Sequence, residues 1–511
     1  MEKYIIGLDS GTSGIKAVAF NELGEEMAKA ERGLTACCEE EAWFEEDFEE
    51  IWQKAKECIC EVAEKFPVGS ITGIGITAQG DGLWLFDENM QPVRKGCCFC
   101  DGRAGEQFQG WSADGTARKV FERAGTRVFT GNQPCILKWM AVHMPKTLEK
   151  SKYCLHLKDA LFARLTGIVS TDTTDQSLIF LDMKTGEYDE NLFDYYGLER
   201  YREKYPTVLS CQENKGMLKE EMVKELGLTS KVLVTGGPMD VAACAAGAGV
   251  VEDGCCCSII GTAALHEMVI GEPCKDDIFA GMTVFHGRKG KWLRLMASLA
   301  GTPNLEWLLG ILGETVEKQA EKHGMGVYDY AEKMVAETPI GANGILYHPY
   351  LLAGGERAPF TDPNARASFT GISVRNTVGD LIRACYEGVA YAMADCYDHM
   401  PLPVKKITLC GGGTSSETWC QMFADVLGKE VVTVKGKELG AKGAAMNNGV
   451  AQGLYRDFGH AVEIMVKTDK IYTPDLGKYE KYQKYFRLYK KTYENMGEIW
   501  AMRNSILQNK Q

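Results

Sequence analysis

Proline is scarce in this chain, 15 of 511 residues, and histidine scarcer still, at eight. Little proline beside 56 glycines argues against a disordered, proline-rich polymer and for tight turns joining regular elements. No stretch approaches the ~18–20 apolar residues that a membrane-spanning helix needs, so no membrane partner is expected. The histidines form no H-E-x-x-H or H-x-x-x-H array, and neither Cys255-Cys256-Cys257 nor Cys37-Cys38 has the C-x-x-C spacing of a zinc site. Basic charge is also in deficit. The 57 Lys and Arg face 70 Asp and Glu, a net charge of −13, which excludes a broad nucleic-acid surface. The opening MEKYIIGLDSGTSG has no basic leader region, and its apolar run stops at Gly7 and Asp9. A cytoplasmic location with nineteen reduced thiols is therefore expected.

What is present is length, apolar content and punctuation. A chain this long predicts two or three domains, and 45% hydrophobic residues suffice for large cores. Residues 4–8 and 15–20 read as strands around Asp9-Ser10-Gly11-Thr12-Ser13-Gly14, a turn of residues that tolerate special backbone angles. Residues 43–66 read as helix, and 71–77 and 83–86 as strands around Gln79-Gly80-Asp81-Gly82. The strand 232–235 runs into Gly236-Gly237-Pro238-Met239-Asp240 and a small-residue helix over 241–249. A second series follows: strands 256–260 and 265–270 around Gly261-Thr262-Ala263, a strand 407–410 ending in Gly411-Gly412-Gly413, a helix 417–427, a strand 430–434 and a Gly/Ala-rich helix 440–448. Hairpins followed by strand–helix alternation predict α/β architecture in two lobes, divided near 247–255. Tyr479, Tyr482, Phe486, Tyr489, Tyr493, Met496 and Trp500 recur every three or four residues, as on one helix packed by its aromatic side.

Several of these turns suit a metal-bound polyphosphate. Asp9 stands at a strand end before Gly11-Thr12-Ser13, where backbone N–H groups and two hydroxyls can cradle phosphate oxygens. Lys16 supplies a cation, and a carboxylate suits Mg²⁺, a hard ion that prefers oxygen ligands. An ordinary hairpin turn is the alternative, and G-x-x-x-x-G-K-[ST] is absent. The second tip, Gly261-Thr262, strengthens the case, since two such hairpins facing one cleft would grip a nucleotide's phosphates from both sides. Asp240, past a strand end and before a helix, is placed either for catalysis or only to cap that helix. Gln79, Gly80 and Asp81 offer donors and acceptors to a polyhydroxylated ligand, or form a plain bend. Asp101-Gly102-Arg103 is a further polar turn, with a surface ion pair of little energetic worth as its alternative. The segment 438–445 reads as a tightly packed helix start.

Together these segments resemble the FGGY carbohydrate kinases. Gly7 to Ser13 resembles the family's first phosphate motif and Ser258 to Ala263 its second. Asp240 in Gly-Gly-Pro-Met-Asp falls where the family has its catalytic Asp. Gly411-Gly412-Gly413 with Gln421 and Ala424-Asp425 resembles the adenosine motif, Lys138-Trp139 the N-terminal signature, and 354–359 with 367–387 the C-terminal one. The resemblance implies a two-lobed actin-like ATPase (ribonuclease H-like) fold with a central interlobe cleft. It implies an N-terminal lobe over 1–247 that binds sugar, and a C-terminal lobe over 248–511 that binds ATP. The final helix, about 478–505, would pack back on the first lobe. Gly80-Asp81-Gly82 is more like erythritol and L-xylulose kinases than xylulose or glycerol kinases.

The same resemblance implies ATP and Mg²⁺ as cofactors and a small sugar or polyol as partner, with a homodimer left open. Asp240 would take the proton of a hydroxyl attacking the γ-phosphate, a primary one, and share the metal with Asp9. Gly11, Thr12, Ser13, Lys16, Gly261, Thr262, Thr302, Gly412, Gly413 and Glu417 would hold ATP. Gln79, Gly80, Asp81, Asp101, Arg103 and Asp240 would hold the sugar, and closing lobes would exclude water. A mechanochemical actin-like ATPase and a silent sugar sensor are the competing classes; sugar-dependent ADP release separates them.

Overall fold

The computed structural model describes residues 2–38, 42–274, 278–352 and 354–508. The chain folds as two compact units, Met1–Asp253 with Val269–Arg294 and Gly436–Lys467, and Gly254–Met268 with Leu295–Lys435 and Thr468–Gln511. The chain first passes from one unit to the other after Asp253. The later two segments of the first unit are a correction to a simple 1–247 and 248–511 division. Among the described residues no cysteine is in a disulfide. Among the described residues no helix is long and apolar enough to cross a membrane.

The first unit is built on a six-stranded sheet. Its order is Lys215–Met217, Leu233–Gly236, Ile71–Ala78, Tyr4–Ser10, Gly14–Asn21, Glu26–Gly33. Tyr4–Ser10 and Leu233–Gly236 both run parallel to Ile71–Ala78, and Gly14–Asn21 turns back antiparallel. The period-two pattern sorts the side chains. Tyr4, Ile6, Leu8, Ile74 and Ile76 share one buried cluster with Phe48, Ile51 and Trp52 of helix Phe48–Ala63 and with Leu157, Leu161 and Leu165 of helix Leu157–Thr166. On the other face Ile5, Val18 and Phe20 pack with Ala441, Ala445 and Met446 of helix Leu439–Ala451.

Glycine sets how close that last helix comes. A Cβ at Gly7 would stand 2.0 Å from Ala441 O, and one at Gly75 2.0 Å from Ala444 O. The Gly/Ala-rich segment read as a packed helix is one, and its contact is the reason residues 436–467 belong to the first unit. Two buried amides fix it. Asn448 Nδ2 donates to Ile74 O at 3.1 Å and Leu233 O at 3.0 Å, and Asn447 Nδ2 to Gly237 O at 2.7 Å.

The helix expected over 43–66 is shorter. Asp47 caps it, accepting from Glu49 N at 2.9 Å, and Glu45–Glu46 is instead a strand paired with Gly96–Cys97.

In the second unit Cys255–Ile260 lies between the antiparallel Ala264–Ile270 and the parallel Lys406–Cys410, followed by Val431–Val434 and Thr468–Tyr472. The buried helix Val378–Asp398 carries Tyr391, which meets the rings of Tyr482, Phe486 and Tyr489. The aromatic stripe therefore packs inside the second unit, a correction to the expectation that it returns to the first lobe. It spans two helices, Leu476–Glu494 and Gly497–Gln508.

Candidate active site

Three parallel strand ends of the first unit meet at one sheet edge. Ser10 pairs with Ala78, and Gly236 with Ile76, so Asp9 near one strand end, Gln79 just past the next and the run from Gly236 to Asp240 stand at the same end of the sheet. Gly11, Thr12 and Ser13 form the hairpin tip, with Gly11 N bonded to Gly14 O at 3.0 Å. Asp9 and Asp240 are both half-buried. Burial pushes Asp9 up to about 7 against the pull of Lys16. Burial likewise pushes Asp240 up to about 8; the Val241 N–H opposes this, and the charge of Asp9 adds to it. The helix Asp240–Gly247 takes Met239, not Asp240, as its cap residue, so capping does not account for Asp240. Among the described residues its Oδ1 accepts only from the neighbouring Val241 N, at 2.8 Å. Lys16, expected to reach phosphate, has its Nζ 3.2 Å from Glu438 Oε2 and 3.8 Å from Glu31.

The polar bend after Ile71–Ala78 is buried. Gln79 N donates to Ser10 O at 2.9 Å and Gln79 Nε2 to Glu46 Oε2 at 2.7 Å, while Gln79 Oε1 has no hydrogen-bond partner among the described residues. Burial lifts Glu46 to about 7. Asp81 adopts φ 55°, a left-handed conformation rare outside glycine, and accepts from Asn132 Nδ2 at 2.6 Å. Burial raises Asp81 to about 7, with Asn132 opposing.

The turn Asp101-Gly102-Arg103, assigned to the sugar with a surface ion pair as the alternative, is buried. Asp101 and Arg103 have side chains with no exposed area, joined by Arg103 Nε and Nη2 to the two oxygens of Asp101, each at 2.8 Å. Glu45 also pairs with Arg103, and the guanidinium carbon lies 4.1 Å from the centroid of Trp43, with Trp139 on a second side. Burial opposes the Arg103 charge, but Asp101 and Glu45 raise its pKa overall. Arg103 is thus held by protein groups, and its Nη1 has no hydrogen-bond partner among the described residues. Glu45, Glu46, Trp43 and Asn132 were missed in sequence because each reaches this cluster from a distant segment.

The second unit holds the rest of the expected set. Gly261 and Thr262 form the tip of the hairpin 255–270. Thr302 N donates to Gly261 O at 2.8 Å, and Gly301 lies so close that a Cβ would be 2.3 Å from Gly261 O. Glu356 steadies the approach to that turn, accepting from Ser298 Oγ and Leu299 N, each at 3.0 Å. Gly412 and Gly413 open the short helix Gly412–Ser415, and Glu417 begins helix Glu417–Leu427, paired with Lys470. Gln421 and Asp425, matched to the adenosine motif, bond each other and hold the C-terminal segment through Thr473 O and Asp475 N, each at 2.9 Å.

Comparison with known proteins fits this geometry. The sequence is 28% identical over 508 residues to the erythritol kinase of Brucella abortus, covering 97% of each chain. It is 27% identical to the L-xylulose/3-keto-L-gulonate kinase of Escherichia coli, covering 96% of each. The structure superposes on gluconate kinase from Lactobacillus acidophilus with a TM-score of 0.91 at 23% identity, covering 98% of this chain and 100% of that one. It superposes on the ADP-bound glycerol kinase of Plasmodium falciparum with a TM-score of 0.85 at 20% identity, covering 97% and 98%. These likenesses establish the two-domain α/β fold of the actin-like ATPases. The profile of the FGGY family of carbohydrate kinases, N-terminal domain, matches residues 4–247, and that of the C-terminal domain residues 256–452. Matched along most of its length by both halves of one family, the chain belongs to the FGGY family of carbohydrate kinases.

Proposed function

We propose that this protein transfers the γ-phosphoryl group of ATP to a primary hydroxyl of a four- or five-carbon polyol or ketose, erythritol and L-xylulose first among them, with Asp240 as general base. The observation that carries this reading is the pair of strand-end carboxylates, Asp9 and Asp240, at one edge of one sheet. They stand close enough for the charge of Asp9 to help hold a proton on Asp240. Mg²⁺ fits such a pair: when bound it would neutralise phosphate charge and favour the ionised carboxylates.

The substrate hydroxyl gives its proton to Asp240 while its oxygen forms the new bond to the γ-phosphorus, and ADP leaves with the electrons of the broken bond. A carboxylate suffices as base because the transition state is loose and the proton can leave late. Thr12 and Ser13 in the first unit, and Thr262 and Thr302 in the second, are the donors assigned to the phosphates. Gln79 and Asp81 are the groups assigned to the acceptor. Gln79 Oε1 has a lone pair to give, and Asp81 near pKa 7 can accept from a hydroxyl when ionised and donate when not. Arg103 acts on the acceptor site by holding Asp101 and Glu45 in place.

The test is ATP-to-ADP turnover with erythritol, other tetritols, pentitols, L-xylulose, D-xylulose, ribulose and glycerol. The phosphorylated carbon is identified by coupled phosphorus–proton NMR. One tetritol or ketopentose is expected to release ADP one for one with a primary phosphate ester. Asp240→Asn is expected to lose ~10²–10⁴-fold in kcat. ADP release that no acceptor stimulates would sink the proposal.

A further inference from the structure

The backbone leading to Asp240 is gripped by buried side chains from several segments of the first unit. Gly236 O accepts from Asn214 Nδ2 at 2.8 Å and Lys158 Nζ at 3.1 Å. Gly237 O accepts from Asn447 Nδ2 at 2.7 Å. Met239 N, one residue before Asp240, donates to Thr174 Oγ1 at 2.9 Å. Thr174 is itself fixed, since its N–H donates to Asp172 Oδ1 at 2.9 Å and its hydroxyl donates to the same oxygen.

Behind Asp172 lies a fully buried ion cluster. Lys158 Nζ contacts Asp172, Asp175 Oδ2 at 2.9 Å and Asp159 Oδ1 at 3.5 Å, with His156 Nδ1 3.5 Å from Asp159. The Asp159, Asp172 and Asp175 carboxylates enclose an ammonium rather than leaving room for an ion. Desolvating so many charges is costly, and such a cluster is weak evidence for stability. What it provides is direction. An N–H···O bond constrains angle as well as distance, and a hydroxyl that also donates to a salt-bridged carboxylate cannot swing.

We propose that Thr174, locked by Asp172 and Lys158, is a positioning residue for phosphoryl transfer: by holding Met239 N–H it aims the Asp240 carboxylate. This rests on Asp240 being the base. Thr174 reaches Asp240 through Met239 and not directly, so its effect is expected on the geometry of the chemical step more than on affinity for either substrate.

Thr174→Val keeps the shape and removes both hydroxyl bonds; Thr174→Ser keeps the hydroxyl. The valine variant is expected to lose ~10–100-fold in kcat, as small misplacements of a reacting group do, with both KM values within about twofold of wild type. The serine variant is expected to recover most of that rate. Thermal melting by circular dichroism reports folding, and Thr174→Ala reads the same bonds if the valine variant does not fold. Unchanged kcat per folded molecule in these variants, or a serine variant as slow as the valine one, would overturn the proposal. Asp240→Asn measured alongside keeps the two questions apart. Near-normal turnover there removes Asp240 as base whatever Thr174 does. An inactive Asp240→Asn beside a fully active Thr174→Val removes Thr174 alone.

Discussion

The hairpins 4–21 and 255–270 share a plan. Each runs strand, Gly-Thr tip, strand, and in each the first strand lies parallel to a later one, Ile71–Ala78 or Lys406–Cys410. Their contents differ. The first carries Asp9 just before its tip and Lys16 just after, and its tip is closed by its own Gly11–Gly14 bond and the Leu34 N–H on Ser13 O. The second carries Ile259 and Ile260 before the tip. It is braced from outside by Gly301, Thr302 and, one step further back, Glu356. One loop brings charge and the other brings fixed backbone, so damage to the two should register in different kinetic constants.

Between the two loops, the larger effect is expected at the brace. Gly301→Ala places a methyl 2.3 Å from Gly261 O and 2.5 Å from Thr262 O, so the tip must move. The KM for ATP should rise ~100-fold while the acceptor KM holds, measured by steady-state kinetics with each substrate varied. An equal rise in both would erase the contrast between the loops. In the first unit, Asp81→Ala removes one acceptor group and should raise the acceptor KM ~10-fold, about the worth of one hydrogen bond, with the ATP KM unchanged.

The smallest effect on turnover is expected at Glu356, and it sharpens the comparison through pH. Burial lifts this carboxyl to about 7, opposed by the N–H groups of Arg357 and Leu299 and the Ser298 hydroxyl. Its folded value lies above the ordinary 4.5, so the folded protein holds an extra proton between the two. The stability it contributes is complete below about 4.5 and is lost as pH rises through 7. Glu356→Gln should flatten the fall in melting temperature across that window and leave kcat per folded molecule unchanged. A slope identical to wild type would remove Glu356 as its source.

Strand ends and turns were legible in the sequence because they are local. Asp9, Gln79 and Asp240 stand where buried strands meet polar, glycine-rich runs, and short-range pattern suffices to place them. What stayed hidden depends on distant segments. Asp101 and Arg103 look like a surface turn until Trp43 and Glu45 arrive from nearly 60 residues away to bury them. Lys16 looks free until Glu438, 422 positions further on, meets it. Thr174 carries no signal at all, since its partner is the backbone N–H of Met239.

The placement of helix Leu439–Ala451 also bears on how the protein is made. During translation the first strands leave the ribosome early, yet the helix that covers Gly7 and Gly75 comes out only when most of the chain has been synthesised. Until then one side of the nascent sheet is bare, and domain-by-domain folding from the N-terminus stalls short of completion. A polypeptide stopped at residue 435 would keep every strand of that sheet and still expose a greasy surface to chaperones and proteases.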